Sequence, residues 1–215
     1  GAPAADRGTL TTAPGAASHT RHAPHGEPAR SEVLAGIDRR PGVTYVALVP
    51  NLRGAELALA AGVDALTVTI SASETYNRRN VGMGTDDSVA VIADIAALAA
   101  CGGPGGGPMA VDAVISCSFG SPYEGEIPVA DVLALARRLE QAGVTSLTYA
   151  DTTGMATPRL VVELADALRS TAETVGWMDT GLHLHDTRGT GLVNAYAALQ
   201  EGIARFDTAV GGLGG

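Results

Sequence analysis

The chain of 215 residues has no lysine: its 14 basic residues are all arginine. Without a lysine it offers no Schiff-base amine, no pyridoxal phosphate anchor and no P-loop lysine, so three large mechanistic classes are excluded. Cysteine is nearly as scarce. Cys101 and Cys117 are too few and too irregularly placed for a disulfide framework or a cysteine zinc site, and a reducing, cytoplasmic compartment is expected. Aromatic residues make up 4%. No run approaches the roughly 18 apolar residues that cross a membrane, and no basic-then-apolar leader opens the sequence. Positive charge is also in deficit, with 23 acidic residues setting a net charge of -9, which argues against a nucleic-acid surface. Chemistry must come from carboxylate, histidine, thiol or metal.

What is present is apolar and repetitive. Apolar residues account for 46%, enough for one domain with a real core. Residues 1–30 lack periodicity, are rich in Ala, Pro and Gly, and hold His19, His22 and His25. They read as a disordered tail, its histidines solvated for want of an element to orient them. From Ser31 to Gly215 the pattern alternates: helix 31–40, strand 43–50, helix 52–62, strand 64–71, a loop with Glu74 and Asn80, then a helix from 85 to about 100 with Thr85 as N-cap. A glycine-rich connector (102–108) without lysine leads to strand 109–118 and helix 128–143. Strand 146–150, helix 157–176, strand 180–186, helix 190–202 and strand 205–211 complete the domain. Six strands separated by helices demand a parallel sheet with right-handed crossovers, either an open doubly wound sheet or part of a closed eight-stranded (β/α)8 barrel.

The sharpest local signal is Leu182-His183-Leu184-His185-Asp186. Residues two apart on a strand share a face, so both imidazoles point one way while the leucines point toward covering helices. The spacing fits half of a metal site, needing at least one ligand from elsewhere, and equally a hydrogen-bonded pair of core histidines. Asp151, ending strand 146–150, fits a base, a substrate-orienting group or a carboxylate behind a histidine, and equally an Asx-type turn or helix cap before Pro158. Glu74 and Asn80 share that ambiguity. Cys117, with no cation nearby in sequence to lower its pKa, reads as a buried, inert thiol.

Taken together, PNLRG (50–54), SASETYNRRN (71–80), VISCSFGSPYEGE (114–126), YADTTGMATP (149–158), LHLHDTRGTGLVNAYAAL (182–199) and DTAVGGLGG (207–215) resemble, in order and spacing, the hydroxymethylglutaryl-CoA lyase family. That family sits in the barrel superfamily of metal-dependent lyases, Claisen-type synthases and carboxyltransferases. Histidines followed directly by Asp-Thr, and the GGLGG ending, separate the lyase pattern from its synthase relatives. The resemblance implies a TIM (β/α)8 barrel of which 31–215 supply six βα units, the third to eighth strands. It implies Mg²⁺ or Mn²⁺ as cofactor, held partly by His183 and His185, and Asp151 as a catalytic-site residue. The implied reaction is cleavage of 3-hydroxy-3-methylglutaryl-CoA to acetoacetate and acetyl-CoA in leucine degradation. The expected partners are an acyl-CoA substrate and a second copy of the chain in a homodimer.

Three family features have no counterpart in these residues: an Arg-Asp pair and an acidic residue on the first two strands, and a Cys and Asn beyond the GGLGG element. Ser121 stands where a second Cys is common. The chain alone is therefore expected to turn over slowly or not at all. Two alternatives accompany this reading: a related acyl-CoA lyase or Claisen-type synthase, and a non-catalytic remnant that acts by association through open strand edges.

Overall fold

The computed structural model describes residues 34–103, 106–171 and 179–209. The expected tail, with its three histidines, and the ends of the expected helix 157–176 and strand 205–211 lie outside them. Six strands form one sheet in sequential order, every neighbour pair parallel: β1 Val46–Leu48, β2 Ala65–Ser71, β3 Ala110–Ser116, β4 Ser146–Asp151, β5 Asp179–Leu184 and β6 Arg205–Phe206. Helices α1 Leu52–Ala60, α2 Glu74–Val81, α3 Thr85–Gly102, α4 Val129–Gln141, α5 Pro158–Ser170 and α6 Gly191–Gln200 alternate with them. The sheet is a curled portion of a TIM barrel, and the doubly wound alternative is set aside.

The strands' alternation separates two environments. Leu66, Val68, Ile70, Val111, Ala113, Ile115, Leu147, Tyr149 and Leu182 form one face and join a continuous apolar core with the helices. In α5 the contact is made by Val161, Leu164, Ala165 and Leu168, the three-and-four spacing of a single helical stripe. The opposite face is polar. Thr69 Oγ1 and Ser116 Oγ lie 3.4 Å apart across β2 and β3, and Asp112 of β3 accepts from Ser146 (2.7 Å) and Thr148 (2.9 Å) of β4. Arg205 of β6 crosses this interior to Asp112 Oδ1 at 2.9 Å and also donates to the carbonyls of Leu147 and Asp179. A β-carbon on Gly181 would stand 2.7 Å from the Arg205 Cζ, so the missing side chain is what gives the guanidinium its path.

Local chemistry sets most element starts. Asn51 caps α1 by accepting from Gly54 N at 2.8 Å, and Thr157 caps α5 just ahead of Pro158, a residue preorganised for the first helical turn. Three expectations change. Of the expected helix 31–40, residues 31–33 lie outside the described residues; 34–35 are helical and the helix ends there, short of residue 40, since Gly36 does not sustain propagation. The loop holding Glu74 and Asn80 is instead helix α2, begun by Ser73 accepting from Tyr76 N and closed by Gly82 in the left-handed region at φ 79°. Thr85 is not an N-cap: Gly84 holds that position without a side-chain bond, and Thr85 donates through both N and Oγ1 to Glu74 Oε2. The preceding helix thus supplies the acceptor for the start of α3.

Candidate metal-binding site

His183 lies near the C-terminal end of β5, His185 just beyond it, and the C-terminal edge of such a sheet is where barrel active sites are built. Their Nε2 atoms are 3.1 Å apart, with ring centroids separated by 5.0 Å. His183 Nδ1 is 2.9 Å from Asp207 Oδ2. Asp207 follows β6 directly and donates its own N–H to the Leu182 carbonyl, so pairing of β5 with β6 delivers the carboxylate to the imidazole. With the Nδ1 proton given to Asp207, the His183 Nε2 lone pair faces His185.

This geometry suits a divalent ion. Two cis ligands on an octahedron at about 2.1 Å stand about 3.0 Å apart, close to the observed Nε2 separation. The described residues contain no group of three or more His, Cys, Asp or Glu side chains placed to hold a metal. The two Nε2 atoms are within hydrogen-bond distance of each other, as the reading of a hydrogen-bonded histidine pair requires, and Asp207 supports the His183 ring from behind.

Asp151 ends β4, in register with Leu184 of β5, which sets it off the face that carries the imidazoles. Asp151 is 1% exposed. Oδ1 accepts from Ala156 N at 3.0 Å, while Oδ2 is buried without a hydrogen-bond partner. Burial raises its pKa, and the N–H groups of Ala156 and Met155 and the charges of His185 and Arg188 oppose that rise without cancelling it. One oxygen ties down the following loop, as the Asx-type turn reading expects, and the other is buried without a partner.

At the same edge of the sheet the loop after β3 is locked to the loop after β2. Glu124 accepts from Ser73 Oγ, from Ser121 Oγ at 2.5 Å and from Thr75 N at 3.0 Å. Desolvation raises the Glu124 pKa, but these bonds prevail and bring it to about 2. Ser121 bonds both Ser73 and Glu124, a role that a smaller hydroxyl fills well at a position where the resembled family often has a thiol. Asn77 is buried, joining Ser71 N, Met83 O and Ser88 Oγ. Glu74 serves α3, Asn80 is exposed, and neither joins the histidines. Cys117 is buried at φ 58°, the one non-glycine described residue in the left-handed region. Burial first, and the nearby Glu124 and Asp151 charges, raise its pKa despite hydrogen bonds with Ser71 and Thr152.

Asp207, Arg205, Asp112 and Glu124 escape a reading of the sequence as site residues. Asp207 alone leaves a local signal, a carboxylate closing the last strand one position beyond Arg205-Phe206.

The HMGL-like family model matches residues 26–215. Over 186 residues the chain is 41% identical to hydroxymethylglutaryl-CoA lyase YngG of Bacillus subtilis, covering 86% of this chain and 59% of the relative. It is 40% identical, with the same coverages, to a Pseudomonas aeruginosa protein named 3-hydroxy-3-isohexenylglutaryl-CoA/hydroxy-methylglutaryl-CoA lyase. Among solved structures, the HMG-CoA lyase of Bacillus subtilis superposes with a TM-score of 0.79 at 40% identity, again over 86% of this chain and 59% of that one. The chain thus spans about three-fifths of the length of these relatives.

Proposed function

Because this chain belongs to the HMGL-like family, we propose that it carries the histidine side of the metal centre of a carbon–carbon lyase. The substrate is 3-hydroxy-3-methylglutaryl-CoA and the products are acetoacetate and acetyl-CoA, a step of leucine degradation carried out in the cytoplasm. The observation that carries this reading is the His183–His185 pair, with Nε2 atoms 3.1 Å apart and Asp207 behind His183. His183 and His185 would hold Mg²⁺ or Mn²⁺, which when bound supplies a Lewis acid for the tertiary hydroxyl and a neighbouring carbonyl oxygen of the substrate.

The chain's own groups have distinct tasks. Asp207 fixes the His183 ring and its tautomer. Asp151, buried and off the face of the imidazoles, acts through its charge on His185; as the bond between C2 and C3 breaks, the hydroxyl proton passes to a base, C3 becomes a ketone and the electron pair passes to the thioester enolate. A proton returned to C2 balances the one removed, so neither oxidant nor reductant is needed.

A second acyl-CoA is a specific alternative, supported by the Pseudomonas aeruginosa relative, whose name includes an isohexenyl substrate. Isothermal titration of both acyl-CoA esters in the presence of Mg²⁺ separates the two by which binds more tightly.

The metal reading is tested by adding Mn²⁺ stepwise while recording imidazole ¹⁵N resonances. His183 and His185 should broaden ahead of His19, His22 and His25, and His183→Ala should abolish the effect at His185. Broadening confined to the other histidines, or unchanged by that substitution, overturns it. With only two imidazoles from the described residues, turnover by the chain alone is expected well below about 1 per second, the low end of ordinary enzyme rates.

A further inference from the structure

Helix α6 carries one polar side chain that is wholly buried, Asn194, at 0% exposure. Its Nδ2 donates to the Ala156 carbonyl at 3.0 Å, and the Ala156 N–H donates to Asp151 Oδ1 at 3.0 Å. Asn194 thereby reaches from α6 to the residue that holds the Asp151 carboxylate. Its own Oδ1 is buried without a hydrogen-bond partner, so the amide meets one need, a donor directed at Ala156.

We infer that Asn194 is a positioning residue for Asp151: it pins Ala156, whose N–H commits Oδ1, and so fixes the place of the buried carboxylate relative to His185. This inference rests on the proposed role of Asp151. Two further contacts join the same pair of segments. Gly154, at φ 67°, lies so close to the segment after β5 that a β-carbon there would stand 2.8 Å from Thr187 Cβ. Asp186 Oδ1, next to Thr187, accepts from Gly191 N at 2.8 Å, which fixes the first turn of α6 to that segment. The loop 152–157 therefore rests on the start of α6, and the position of the carboxylate depends on a helix outside the sheet.

A requirement of stability alone would select otherwise. An amide oxygen buried without a partner is costly, and a leucine of similar size would avoid that cost. Retention of an amide fits a need for its N–H at Ala156.

Amide hydrogen exchange and the Ala156 ¹H shift test this in the intact chain. In the unsubstituted protein the Ala156 N–H should be protected and shifted downfield by its carboxylate acceptor. In Asn194→Leu, which removes the donor while retaining bulk, Ala156 should exchange at least tenfold faster with the amides of α4 and β3 unaffected. Asn194→Asp, which sets an oxygen against the Ala156 carbonyl, should do the same. A merely structural role would instead speed exchange throughout the domain. Unchanged Ala156 protection in a folded Asn194→Leu protein overturns the inference, as does an unprotected Ala156 in the unsubstituted chain, a result available whether or not the variants fold. Asp151→Asn addresses the separate question of its action on His185: an unchanged His185 ¹⁵N resonance would remove that role and leave the Ala156 result standing.

Discussion

Single positions in this protein are constrained by what they leave room for. Gly181 is in the strand interior at extended backbone, where any residue fits locally, yet a β-carbon would collide with Arg205. Gly181→Ala should push the guanidinium off Asp112 and the Leu147 and Asp179 carbonyls. The expected loss is about 1–3 kcal/mol, the usual range for overpacking a filled interior, read as a lower urea midpoint at unchanged slope. The two thiols differ in the same positional way. Cys101 is exposed and Cys117 buried, with the Cys117 pKa raised first of all by burial. An aromatic disulfide reagent at pH 7 should label one thiol per chain rapidly and the second only under denaturant, because the thiolate is the reacting form. Rapid labelling of both would contradict the assignment.

At the level of elements, β5 and α6 illustrate how differently neighbouring leucines contribute. Leu182 separates the register of the histidines from the core and is 0% exposed, whereas Leu192 on α6 is 86% exposed. Leu182→Ala should cost about 2–5 kcal/mol and broaden the His183 and His185 resonances by loosening the strand that carries them. Leu192→Ser should stay within about 0.5 kcal/mol, as for other exposed positions. Equal effects on the thermal midpoint would be incompatible with this packing. Helix α2 shows where pattern reading fails: it has no apolar stripe, its one buried residue being Asn77, so hydrophobic periodicity is silent. Its capping signals are all present, from Ser73 and Glu74 at the start to Arg78, Arg79 and Gly82 at the end, and those are what mark it as a helix.

Across the whole molecule, the loops at the C-terminal edge are bound to one another by charge-assisted hydrogen bonds, which makes the edge sensitive to acid. Glu124 has a folded pKa of about 2 against an ordinary 4.5. A depressed carboxylate stabilises the fold above its unfolded pKa, and that contribution disappears as pH falls from about 4.5 toward 2. Unfolding midpoints should therefore decline through this window, and Glu124→Gln should flatten the decline while lowering stability at neutral pH. A Glu124→Gln protein with an unaltered acid limb would show that the clamp contributes nothing. The Asp151 shift acts in the opposite sense: its folded pKa is raised, so its ionisation costs stability as pH rises through that value.

The sequence alone determined the repeating strands and helices, the shared face of His183 and His185, and the placement of Asp151 at a strand end. These follow from periodicities of 2 and 3.6 residues and from caps and turns, interactions that act over a few residues and leave their imprint on a short stretch of chain. Only the tertiary structure decided that Asp207 stands behind His183, 24 positions away, that Glu124 accepts from Ser73 across 51, and that Arg205 reaches Asp112 across 93. The physical reason is that such pairs depend on strand order and register. A parallel sheet brings each strand beside one separated from it by a whole helix, so an isolated Asp or Arg carries no mark of the partner that the curl of the sheet will set against it.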